Sequence, residues 1–261
     1  MTLNKLALSL SLALFALPMS AMAQDTAAET GNPAQSTGEA SDAPAADEAS
    51  PALTWNLSVT SDYVFRGITQ TNFGPAVQGG LDYSFGDSGF SIGTWASNVD
   101  FNDSDGPNIE LDTYVGWSKD VAEGFNLDLT LVRYNYFGDS NGYGNLAYNE
   151  FIAKGTWNEA ITLTYGYAND YANAGYSSSY INLGGTWDVG NDFSVNAGVG
   201  HTNFSDGNGS YNDWNVGISR QFGPVNAALN YYDATGEVID GLYGSHSASD
   251  HVVLTFAFGN G

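Results

Sequence analysis

The chain has 261 residues, 29 acidic and 6 basic, with a formal net charge of −23, a balance that excludes nucleic acid as a partner. Cysteine is absent, so no disulfide framework supports an exported form, and aromatic residues (14%) outnumber charged ones (13%). That mixture fits a membrane barrel with aromatic girdles and also a secreted β-sandwich.

Residues 1–23 carry Lys5, an apolar run from Leu6 to Leu17, Pro18, and the small-residue pattern Ala21-Met22-Ala23. This is the pattern of a cleaved secretory signal peptide. Residues 24–52 hold six acidic residues, no basic ones and no aromatics among repeated Ala, Ser, Thr and Pro. They have little to bury and are expected to form a disordered acidic leader. No later segment approaches the ~18 consecutive apolar residues of a spanning helix, so a membrane-spanning form has to be a β-barrel.

From Leu53 the chain alternates, with Leu53, Trp55, Leu57, Val59, Tyr63 and Phe65 on one parity and Thr54, Asn56, Ser58, Thr60, Asp62 and Arg66 on the other. Such alternation is a strand with one greasy and one polar face. Twelve segments read this way: 53–66, 75–85, 90–101, 109–119, 125–137, 147–157, 161–170, 179–188, 193–203, 211–220, 225–233 and 249–258. Their connections alternate between short (GDSG, DVAEG, NEA, VGND, QFGP) and long (GITQTNFG through ATGEVIDGLYGSHSA). Sorted loop lengths predict an all-β, antiparallel, up-and-down transmembrane barrel over 53–258, both termini on the short-turn, periplasmic side. After residue 51, proline falls only at Pro75, Pro107 and Pro224, where no ladder hydrogen bond is lost.

Trp55, Trp117, Trp157 and Trp187 fall at the short-turn ends and predict one aromatic girdle; Tyr63, Phe65, Tyr134, Tyr136, Tyr167 and Tyr211 predict the other. In FSIGTWASNVDF the apolar parity slips after Ile92, which predicts a bulge near Gly93. Arg133 falls on an apolar parity beside a long loop, either snorkelling to the headgroups or turned inward by a bulge.

SDYVFRGITQT (61–71), PAVQGGLDY, GTWASNVDF and IELDTYVGW, in that order, resemble the TorF family, a proteobacterial family of porin-type outer-membrane β-barrels, and the likeness covers essentially all of 53–258. The resemblance implies a porin role. One departure lies at the C terminus, where barrel-insertion signals usually end on an aromatic residue but Phe258 is followed by Gly259-Asn260-Gly261.

Arg66 and Asp62 share the polar parity, which in a barrel faces the lumen, and Asp82, Glu110, Asp112, Asp128 and Glu150 sit on polar parities too. These seven residues are the pore-lining candidates. Arg66 is expected either to tune a solute-selecting constriction in an acidic ring or to form a structural salt bridge with the wall. His201, His246 and His251 lack a nucleophile elbow or zinc spacing, so no enzyme is expected. Asp103, Asp105 and Gly106 lack a first ligand for an EF-hand, since Phe101 stands in its place. The function expected is passive diffusion of small solutes, cations preferred, across a Gram-negative outer membrane. The alternatives are a non-conducting structural or adhesive barrel and a soluble secreted binding protein. Expected partners are outer-membrane lipid, lipopolysaccharide, small solutes and the barrel-assembly machinery; no cofactor or metal is called for.

Overall fold

The computed structural model describes residues 52–101, 106–138, 144–236, 238–239 and 250–260. Twelve long antiparallel strands close into a barrel: β1 (Ala52–Thr60), β4 (Ala76–Ser84), β5 (Phe90–Asn98), β6 (Ile109–Ala122), β7 (Phe125–Phe137), β8 (Tyr148–Trp157), β9 (Ile161–Ala168), β10 (Ser178–Gly190), β11 (Phe193–Phe204), β12 (Gly209–Phe222), β13 (Val225–Thr235) and β14 (His251–Gly259). Two short strands, β2 (Val64–Phe65) and β3 (Ile68–Thr69), form a separate hairpin between β1 and β4.

Each long strand pairs with its sequence neighbours, and β14 returns to β1 through Asn56↔Gly259 to Thr60↔Thr255, so the barrel has no free edge. The seam continues beyond the last aromatic residue. Asn260 accepts a 2.7 Å bond from the Trp55 N–H and donates its own N–H to the Trp55 carbonyl. The polar tail after Phe258 thus adds one more pairing step to the closure.

Alternation produces an apolar outer wall. Leu53, Leu57, Val77, Leu81, Leu131, Leu163, Leu183, Val199, Val216 and Val252 all point outward and are exposed. Trp55, Trp157 and Trp187 are exposed beside the short turns, as the periplasmic girdle requires. The outer face is apolar because its solvent is lipid, which needs no hydrogen bonds.

Three local expectations are corrected. The first strand ends at Thr60 instead of Arg66, and the chain then turns into the barrel. No bulge occurs near Gly93, since β5 pairs in continuous register with β4 and β6. The parity looks broken because Trp95, opposite Gly80 and Asp112, faces inward and packs on Tyr63, 5.4 Å between rings. Of the expected second girdle, only Tyr167 is exposed; Tyr63, Phe65, Tyr134 and Tyr211 are buried inside and Tyr136 packs against them. Of the two alternatives for Arg133 the outward one holds, with unbroken register around it and its guanidinium reaching the Asn149 amide. In each corrected case the interior at the long-loop end is packed, so an aromatic there marks a core and not a lipid interface.

Candidate functional site

Residues 61–75 fold back into the lumen. Val64-Phe65 pair with Ile68-Thr69 across a two-residue turn in which Arg66 (φ 46°) and Gly67 (φ 78°) are both left-handed. A turn of this kind demands positive φ at both central positions, and Gly67 supplies one without steric cost. Gly67 also has no room for a side chain, since a Cβ would lie 2.8 Å from Ala234 Cβ and 2.9 Å from Asp213 Cβ. The hairpin, rooted between β1 and β4, therefore crosses the lumen and touches β12 and β13.

Its root is held by Asp62. That carboxylate accepts from Thr69 Oγ1 (2.5 Å) and Thr71 Oγ1 (2.8 Å) and lies 3.2 Å from His251 Nε2 on β14. The Ser61 N–H donates to the Leu254 carbonyl, tying the same corner to the wall.

Its tip is held by Arg66. One guanidinium nitrogen donates to Glu150 Oε1 at 2.8 Å, and both side chains are buried, 3% and 0% exposed. Tyr134 donates its hydroxyl to the other Glu150 oxygen at 3.1 Å. The guanidinium lies over the Tyr180 ring at 4.0 Å and the Phe65 ring at 4.6 Å, contacts worth about 0.5–2 kcal/mol each. Burial, the largest single influence, would lower the Arg66 pKa, but Glu150, Tyr180 and Tyr134 together outweigh it and raise the net value, so Arg66 keeps its charge. Gly166 makes the pairing possible, since a Cβ there would lie 2.7 Å from Glu150 Oε1 and 3.0 Å from Arg66.

The seven sequence candidates all face the interior but do not form one ring. Asp62 and Arg66 come from the hairpin, not from a strand face. Glu150 is the Arg66 partner. Asp82 accepts from Tyr114 at 2.6 Å across Gly93, where a Cβ would collide with both groups. Asp128 sits opposite Lys154 and accepts from Thr130 at 3.0 Å. Glu110 accepts from Tyr136 at 3.2 Å. Asp112 is fully buried, and neither of its oxygens finds a hydrogen-bond partner. Asp82, Glu110, Asp112, Asp128 and Glu150 thus lie on β4, β6, β7 and β8, four of the five strands in the run β4–β8, an acidic side of the wall. The opposite side, β10–β13, is lined by Asn182, Asn196, Asn215 and Asn230, with Asn196 donating to Asn230 at 2.9 Å.

Sequence reading missed Trp95, Tyr134, Tyr148, Tyr180, Gln70 and Asp213 in the packed interior. Asp213, which accepts from Tyr180 at 3.2 Å, stood on a polar parity and could have been found by it. Of the histidines, His201 points outward to Asn212 and His251 points inward; His246, Asp103 and Asp105 lie outside the described residues.

Above the hairpin, rings from several strands and loops join: Tyr134–Tyr148 (4.7 Å), Tyr148–Tyr171 (5.2 Å) and Tyr171–Phe204 (5.2 Å). Hairpin and rings together fill the long-loop half of the lumen. Towards the short turns the inward residues Thr54, Asn56, Ser58, Asp82, Lys154 and Asn196 are only half-buried, so that half remains polar and open to water.

A closed barrel with a lipid-type outer wall and a polar, half-filled lumen is a membrane β-barrel of the outer-membrane class. Residues 45–256 match the family described as "Bacterial protein of unknown function (Gcw_chp)", and the chain belongs to that family. No curated protein matches it. Among solved structures it is similar to the NanC porin (10% identity, 79% of this chain and 98% of that chain, TM-score 0.47). It is also similar to the KdgM porin, solved with disordered oligogalacturonate (5%, 79% and 95%, 0.43). A third likeness is to a loop-deleted OmpT of Vibrio cholerae (11%, 82% and 100%, 0.41). At such scores the architecture rests on this chain's own strand pairing.

Proposed function

We propose that this protein is a porin-type outer-membrane channel for small solutes, cations before anions, kept closed towards the outside by the 61–75 hairpin. The observation that carries this reading is a lumen that is polar and open at one end and blocked at the other by an insert, its tip anchored through the Arg66–Glu150 ion pair. Asp82 and Asp128 are half-buried on the short-turn side of the lumen, and an acidic side wall there attracts and passes cations. The likeness of SDYVFRGITQT and the blocks after it to the TorF family supports the same porin reading. The proposal includes export by the signal in 1–23, a leader over 24–52 dispensable for the barrel, and insertion by the assembly machinery into a membrane of lipid and lipopolysaccharide.

Reversal potentials in a salt gradient test it, measured on a chain whose hairpin is replaced by a short Gly-Ser turn. Cation selectivity is expected, fading as the Debye length falls from ~10 Å at 0.1 M to ~3 Å at 1 M. Anion selectivity would refute the acidic path. A second reading, a non-conducting structural or adhesive barrel, is favoured by the aromatic packing above the hairpin. It predicts no ion current even without the hairpin.

A further inference from the structure

We propose that Glu110, Asp112 and Tyr63 form a binding site for a hard divalent cation, of the Ca²⁺ class, that ties the hairpin to the barrel wall. The proposal holds whether or not the barrel conducts.

Glu110 and Asp112 lie two residues apart on the inward face of β6, so both carboxylates reach the same space. Both are fully buried. Three of their four oxygens, Glu110 Oε2 and both of Asp112, have no hydrogen-bond partner; the fourth accepts from Tyr136. Among the described residues no cation answers them, since Arg66 is paired with Glu150, Lys154 stands opposite Asp128, and His251 faces Asp62.

A separate element points into the same space. Tyr63 comes from the hairpin, is 4% exposed, and packs its ring edge-on against Trp95, which sits directly opposite Asp112. Its hydroxyl stands beside Glu110 but completes no hydrogen bond of ordinary distance and angle.

Buried polar groups are almost always satisfied, and an unsatisfied set calls for water or an ion. Two desolvated like charges without a counter-ion are costly. Two carboxylates and a phenolic oxygen are hard, oxygen-only donors of net charge matching a divalent ion, with water completing the shell. Because β6 supplies the carboxylates and the hairpin supplies Tyr63, the ion would lock the insert a second time, independently of Arg66.

Terbium is the probe, since Tyr63 and Trp95 lie close enough to sensitise its emission on ultraviolet excitation. With folded, chelator-stripped protein in detergent, Tb³⁺ should give saturable luminescence that Ca²⁺ displaces. Asp112→Asn should weaken Tb³⁺ binding at least tenfold, while Asp192→Asn, in a distant exposed turn, should leave it unchanged. No saturable signal, or equal signals from wild type and Asp112→Asn, would overturn the site. Should Asp112→Asn fail to fold, the wild-type melting midpoint decides. A rise with Ca²⁺ over chelator supports the site; a midpoint that responds to pH but not to Ca²⁺ means the pair shares protons instead, and the site is wrong.

Discussion

Arg66 is one of six basic residues in the chain, and it sits in a left-handed conformation that side chains other than glycine rarely adopt. Its burial against Glu150, Tyr134, Tyr180 and Phe65 offsets that strain. Removing one partner of a buried pair leaves the other charge uncompensated, at a cost of about 3–5 kcal/mol. Arg66→Ala is therefore expected to lower the thermal midpoint of the folded barrel and to free the hairpin for proteolysis, and Glu150→Gln, which leaves the buried Arg66 charge without a counter-charge, is expected to do the same. Equal protease resistance in Arg66→Ala and wild type would mean that the pair does not hold the hairpin. Gly166→Val provides a contact-free check, since it leaves both charges in place but crowds them apart. A loss of about 1–3 kcal/mol is expected, the usual cost of overpacking, read as a midpoint shift.

At the scale of elements, the hairpin is an insert and the twelve strands are the frame. Excising 62–74 with a short linker is expected to leave a barrel that folds and shifts its gel mobility on heating, because β1 and β4 pair over nine residues without help from the hairpin. A chain that no longer folds would show that the insert is part of the frame.

The strands themselves were legible in the sequence, often to within a few residues, because a lipid-facing wall enforces strict alternation. Residues 61–69 were not, for a physical reason. Tyr63 and Phe65 continue the apolar parity of Leu57 and Val59, and a buried hairpin packed inside a lumen shows the same period as a strand facing lipid. The discriminating signal was the Arg66-Gly67 pair, a two-residue turn between two β-favouring dipeptides. Trp95 misled in the same way, reading as a slipped strand when it was an inward aromatic. Among the site candidates, parity identified which residues face inward, but not that Glu150 pairs with an insert or that Asp112 is left without a partner. Those depend on how far residues 61–75 cross the lumen, which no local pattern records.

The surface of the whole molecule divides by solvent. The outer wall meets lipid, the short-turn half of the lumen meets water, and the long-loop half meets its own side chains. Single-tryptophan variants should report this division. Lipids brominated near the headgroup should quench Trp157 and Trp187 strongly and leave Trp95 nearly unaffected, since Trp95 lies inside against Tyr63. Comparable quenching of Trp95 would place it on the outer wall and dismantle the interior packing.

Whether one inserted hairpin blocks a polar barrel lumen is decided by single-channel recording in planar bilayers. Wild type and the hairpin-excised chain would be recorded side by side under the same salt. Wild type is expected to give little or no steady current, and the excised chain discrete, stable openings. Equal conductance in the two, whether both open or both silent, would contradict it.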